Sequence, residues 1–175
     1  MTEATTPTEA TADPVLDAVP GTKEDVTTSL YRAAIGPMCP DFYLPIFSRF
    51  ETAGKAGLSW NSAASLLTFN WLLFRQLWTP ALAYAGILAA VGLLVFGIGR
   101  LVFQMSDTVS LVLALVLGVL AFVVPGLLGN ALLHKQCRAR MEQALADNPT
   151  VVEATAQLQR QASSHKRALW LTGAN

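Results

Sequence analysis

Residues 81–99 and 109–133 contain no charged side chain. No other feature constrains this chain as much. The shorter run, 19 residues long, would rise about 28 Å as a helix, and the hydrocarbon core of a bilayer is about 30 Å thick. Helices of soluble cores rarely run that far without a polar face. The two runs therefore read as membrane spans joined by the polar turn Gln104-Met105-Ser106-Asp107-Thr108. Asp107 or Thr108 is placed to cap the second helix. The apolar pattern resumes at 101–103, which sets the spans at about 81–103 and 109–133, with Arg100 snorkelling at the far interface. Pro125 predicts a kink or local break in the second span. Composition agrees: 14% of residues are charged, against about 25% in ordinary soluble domains.

Lys and Arg near the span ends set the direction. Arg49, Lys55 and Arg75 precede the hairpin, and Lys135, Arg138 and Arg140 follow it. The connecting turn has Arg100 with Asp107 beside it. Positive residues stay on the cytoplasmic side, so both termini are expected there and the turn outside. Lys135, Arg138 and Arg140 also stand where they could contact anionic headgroups, although fixing orientation is the simpler role. Small residues line one face of each span: Ala81, Ala85, Ala89 and Gly92 in the first, Ser110, Ala114, Gly118 and Ala121 in the second. Such stripes let helices approach closely in lipid, so packing between them is expected unless they only reflect Ala- and Gly-rich composition. Asn130 reads as an interface residue at headgroup depth rather than a helix-association contact.

The uncharged part of residues 58–78 is too short to span comfortably. Asn61, Ser65, Thr68, Arg75, Gln76 and Thr79 fall near one helical face, with Leu66, Leu67, Phe69, Leu73, Phe74 and Leu77 on the rest. Trp60, Trp71 and Trp78 are of the type that favours headgroup depth. The segment is expected to be an interfacial or re-entrant helix, with Trp60, Trp71, Arg75 and Trp78 at the membrane surface. A short third span is the competing reading. Further upstream, the first 30 residues carry six acids and one base and almost no large apolar side chains. They are expected to form a disordered acidic tail, residues 1–29, that stays in the cytosol, since a secretory signal would begin basic and apolar.

The stretch Phe42-Tyr43-Leu44-Pro45-Ile46-Phe47-Ser48-Arg49-Phe50-Glu51, then Leu58-Ser59-Trp60-Asn61, then Trp71-Leu72-Leu73-Phe74-Arg75, resembles a small bacterial inner-membrane family catalogued as domain of unknown function 2628. Gly129-Asn130-Ala131, followed by Lys135 and Arg138, fits the same pattern. The resemblance covers about residues 30–140. It departs at Ser62, where a second Trp is usual, and at Phe69-Asn70-Trp71, which replaces Gly-Pro-Phe-Trp. It implies a bacterial inner-membrane location and brings no activity with it.

No catalytic constellation stands out, so no enzyme, cofactor or metal site is expected. Cys39 and Cys137 are lone thiols, and His134 and His165 lack metal-ligand spacing. His134 is expected to meet headgroups. No acid lies in either span, as a proton-coupled carrier would need. Beyond Asn148-Pro149, Thr150 and Glu153 suggest a capping box opening a helix that runs to about Trp170, with Arg160, Lys166 and Arg167 along it. The expected fold is an all-α membrane protein. It comprises the tail at 1–29, a cytoplasmic or interfacial Trp-rich segment at 30–80, a two-span transmembrane helical hairpin at 81–133, and a cytoplasmic helical C-terminus at 134–175. The expected function is a non-enzymatic membrane anchor or assembly element. The alternative is a small oligomeric pore or transport-accessory subunit, which should show a polar stripe that these spans lack. Expected partners are the lipid bilayer, anionic lipids, and a membrane protein or second copy of the chain, with no nucleic acid.

Overall fold

A computed structural model describes residues 23–162. Most of the acidic tail, and the stretch with His165, Lys166, Arg167 and Trp170, lie outside the described residues. The described chain is helical throughout, with no strand. Helix α1 (Lys23–Ile35) begins inside the segment expected to be disordered. Leu30, Tyr31 and Ile35 bury there, with Val26 packed against them, and this apolar stripe orders the end of the tail. Helix α2 (Pro40–Thr52) has proline in its first turn, where the missing N–H costs nothing. Tyr43, Phe47 and Phe50 are spaced to share one face, and all three are buried.

Residues 58–78 form two short helices, α3 (Ser62–Leu66) and α4 (Thr68–Phe74), which meet at Leu67. With five and seven residues, neither can span a bilayer. Helix α4 ends in a tight turn at Gln76, whose φ of 60° is left-handed. The turn is tied down on two sides: Gln136 and Arg140 reach its main-chain and side-chain oxygens, and its own amide donates to the Gln161 carbonyl.

Helix α5 (Trp78–Leu101) is 24 residues long and starts three residues before the expected span. Its stretch Leu93–Ile98 is a π-helical segment, followed by Gly99. A Cβ on Gly99 would lie 2.7 Å from the sulfur of Met105, which folds back over the helix end. Helix α6 (Asp107–Asp147) runs 41 residues, about 62 Å at 1.5 Å per residue. Its N-cap is Ser106, not Asp107 or Thr108: the hydroxyl accepts from the Val109 amide, while Asp107 pairs with Arg100. Pro125 sits inside this helix without ending it. Helix α7 (Val151–Gln161) opens on Thr150, whose hydroxyl accepts from the Glu153 amide.

Helices α1, α2, α7 and the C-terminal half of α6 enclose one core around Tyr31, Phe47, Cys137, Ala144, Ala154 and Leu158. The hairpin projects from this layer. Both α5 and α6 are long and apolar enough to cross a membrane. Only 6% of either apolar window is buried by the rest of the chain, unlike the core helices of soluble proteins.

The two stripes of small residues do not pack along their length. Ala81 and Ser110 are buried, but Ala85, Ala89 and Gly118 are exposed, and Gly92, Ala114 and Ala121 are half-buried. A methyl group added at Gly92 or Gly118 would meet nothing within 4 Å. The helices instead approach where Tyr84 meets Ala121. The larger Tyr84 side chain carries a hydrogen bond that an Ala-to-Ala contact cannot supply.

Candidate functional site at the base of the hairpin

Pro125 has no N–H, so the carbonyl of Ala121, one turn earlier, loses its helical partner. The hydroxyl of Tyr84 on α5 donates to that carbonyl at 3.0 Å. The neighbouring Phe122 carbonyl accepts from Ser65 Oγ at 3.0 Å. The freed Ala121 carbonyl thus ties α5 to α6, and the adjacent Phe122 carbonyl ties α3 to the same turn.

Just beyond the proline, Gly126 and Gly129 open a groove in α6 into which α3 settles. A Cβ on Gly129 would stand 2.6 Å from the Cβ of Ala64, and one on Gly126 would stand 3.0 Å from that of Ser65. The approach lets the main chain of residues 59–61 donate to the helix: Asn61 N–H to the Gly126 carbonyl at 2.8 Å and Ser59 N–H to Leu127 at 3.3 Å.

Asn61 then serves two helices at once. Its side-chain oxygen caps α3 by accepting from the Ala64 amide. Its amide group donates to Asn130 Oδ1 at 2.8 Å, and Asn130 Nδ2 donates to Ser59 Oγ and the Trp60 carbonyl. Asn130 is fully buried. It is a helix-association contact and not the headgroup-depth residue expected from Lys135 nearby. Leaving either amide unpaired at such a place costs about 1–3 kcal/mol.

Trp71 and Arg75, expected at the membrane surface, lie in the interior. Trp71 packs against Gly129 and directs its indole N–H to the Tyr43 hydroxyl. The Arg75 guanidinium donates to the carbonyls of Ile35 and Met38, both at 2.9 Å, closing the C-terminus of α1. It lies over the Tyr43 ring, 4.7 Å from its centroid. The negative end of the helix dipole and the ring face stabilise this buried cation. Trp60 and Trp78 do face outward. The whole 61–75 segment is oriented opposite to a water-facing amphipathic helix. Its polar residues Asn61, Ser65, Thr68 and Arg75 are buried, whereas Leu66, Leu67 and Phe69 are exposed.

One helical turn above Asn130, His134 is also buried. Its Nε2 lies 2.9 Å from Glu51 Oε1 and 3.0 Å from the Tyr31 hydroxyl, which itself donates to Glu51. A tautomer with the proton on Nε2 satisfies all three contacts. Arg138 closes the cluster at 3.4 Å from Glu51 Oε2, and also pairs with Glu142. The Tyr31 hydrogen bond holds the Glu51 carboxyl below its ordinary value, helped by His134 and Arg138, while partial burial opposes it. Burial, with the adjacent Glu51 charge, pushes the Tyr31 phenol up. His134 thus joins α1, α2 and α6 instead of meeting headgroups. Arg140 reaches Gln76, and Lys135 is exposed.

These polar groups spend their hydrogen bonds on other helices, so the arrangement positions elements. No group of three or more His, Cys, Asp or Glu among the described residues is placed to hold a metal ion. Cys39 is an exposed free thiol and Cys137 a buried one.

Tyr84 and Tyr31 are not among the residues that the sequence reading selects, and Tyr43 and Glu51 enter it only as part of the stretch that carries the family resemblance. For Tyr84 there was a signal: a proline within a span demands a donor for the carbonyl four residues earlier, and Tyr84 is a hydroxyl donor within the facing span. For the other three no local pattern shows the role, because their partners lie on other helices.

A family model described as "Protein of unknown function (DUF2628)" matches residues 30–138, well over half of the chain. No curated protein and no solved structure matches it.

Proposed function

The chain belongs to this DUF2628 family, and from that premise we propose that it is a non-enzymatic anchor of the bacterial inner membrane. Its hairpin crosses the bilayer, and the layer formed by α1, α2, α7 and the end of α6 stands on the cytoplasmic face. Continuity of α6 carries this reading. Its first half is apolar and exposed, its second half is packed under α1 and α7, and one helix that Pro125 does not end holds both. The whole helix is about twice as long as a hydrocarbon core is thick. A single continuous rod therefore joins the lipid-facing part to the layer.

The inverted 61–75 segment supports the same placement. Irregular backbone is tolerated at membrane depth only where protein satisfies its polar groups. The amides of residues 59 and 61 donate to α6, while Leu58, Leu66, Leu67 and Phe69 face outward. On this reading the segment re-enters the cytoplasmic leaflet beside the second span.

Cys39 provides the test. It is exposed on the α1–α2 connection, whereas Cys137 is shielded. Carbonate-washed membranes should retain the protein. A membrane-impermeant maleimide should label Cys39 in inverted inner-membrane vesicles and leave it unlabelled in intact spheroplasts. Release by carbonate, or labelling of the spheroplasts, would sink the reading.

A further inference from the structure

We propose that the groove between the turn after α2 and the cytoplasmic end of the second span binds one anionic phospholipid. Its phosphate sits between Lys55 and Lys135, and an acyl chain lies along Leu132 and Leu128. The proposal rests on the anchor reading and adds a ligand to it.

A cavity of about 390 Å³ opens at this place, with Phe50, Lys55, Leu128, Leu132, Lys135 and Arg138 in its wall. Lys55 and Lys135 are exposed and have no carboxylate partner among the described residues. Arg138 is already shared between Glu51 and Glu142. Two uncommitted ammonium groups therefore face one opening, beside a third cation that is largely neutralised.

The wall changes character along a single stripe of α6. Lys135, Leu132 and Leu128 are separated by three and four residues, so they stack on one helical face. Leu132 and Leu128 also line a second, apolar crevice of about 230 Å³ that continues towards Pro125, Tyr84 and Ile87. A basic end and an apolar end thus share a wall, in the order in which a phospholipid presents phosphate and chain.

Charge selects the occupant. A zwitterionic lipid would bring its own cation against the two lysines. An acidic peptide would suit the lysines and leave the apolar crevice unfilled. A lipid with a net negative headgroup matches both ends.

The full chain, purified in a neutral detergent, would be given phosphatidylglycerol or phosphatidylcholine, and bound lipid counted by native mass spectrometry. Wild type should retain phosphatidylglycerol in preference to phosphatidylcholine. Headgroup lysines contribute about fivefold each near a lipid surface, so K55Q/K135Q should lower retention at least tenfold. The charge-matched control R49Q/R160Q, at exposed sites elsewhere, should not. Leu128→Ser/Leu132→Ser should also weaken lipid retention, with unchanged circular dichroism. Glycerol phosphate at millimolar concentration should not displace the lipid.

Equal retention of the two lipids, an unaffected lysine variant, or an equal loss in the control would each overturn the proposal. Full displacement by glycerol phosphate would make this a site for soluble phosphate instead. The measurement is made in detergent, so its failure is separable from failure of the topology test.

Discussion

Glu51 is the residue on which three helices converge, and its ionisation couples their docking to pH. Its carboxyl is held below the ordinary 4.5, first by the Tyr31 hydrogen bond. A depressed acid contributes stability above its unfolded pKa and loses it as pH falls through the folded one. The contribution should therefore be complete at pH 6 and be lost as pH falls below 4.5 and on through the lower folded value. Tyr31 works in the other direction, because its folded pKa is raised from 10.0. The unfolded chain gives up that proton first, so stability declines above about pH 10. Glu51→Gln keeps an acceptor for Tyr31 and discards the charge. It should cost about 1.5–3 kcal/mol at pH 7, the scale of hydrogen bonds to a charged group. Melting in detergent across pH 3–7 should show the acid limb of wild type flattened in the variant. An unchanged limb would mean that the cluster does not respond to acid through Glu51.

At the scale of elements, the seat of α3 on α6 depends on there being no side chain at Gly129. A Cβ there would lie 2.6 Å from that of Ala64, closer than carbon atoms tolerate. Gly129→Ala must push α3 outward, and overpacking of this kind costs about 1–3 kcal/mol. Ala64→Gly removes the other half of the clash. The double variant should recover part of the melting temperature lost in Gly129→Ala, apart from about 1 kcal/mol for glycine in a helix. A double-mutant cycle with no coupling would show that the two helices do not meet at this pair. The same contact explains what the sequence conveyed and what it withheld. Two long apolar helices were legible from the charge-free runs 81–99 and 109–133, and the structure has helices there, Trp78–Leu101 and Asp107–Asp147. The polar face Asn61, Ser65, Thr68 and Arg75 was legible as a face, but its direction was not. Periodicity reports which residues lie together. The medium on the far side decides which way they point, and here the helix α6, with its own amide at Asn130 and the Phe122 carbonyl as an acceptor, is the polar side. Pairings such as Asn61 with Asn130 span 69 residues and leave no local pattern.

For the molecule as a whole, the two thiols report on different depths of one structure. Cys39 is exposed, and Cys137 lies in the core shared by α6 and its covering helices. Burial pushes the Cys137 thiol up to about 12, so almost none is thiolate at neutral pH, and the thiolate is the species that reacts. In the folded protein at pH 8, a disulfide reagent should therefore consume one thiol per chain quickly, and a second only when the layer opens. If the layer lifts as a unit from α6, the slow rate is the opening equilibrium multiplied by the rate of a free thiol. Glu51→Gln should then accelerate Cys137 by about fivefold for each kcal/mol that it costs, without changing Cys39. Both residues belong to the same helical layer, although Glu51 sits at its edge and Cys137 at its centre. Equal acceleration of both thiols would point to loosening of the α1–α2 connection as well. Acceleration of neither would mean that Cys137 is reached by a local route that leaves the Glu51 cluster closed, and that the layer and the rod are not one cooperative body.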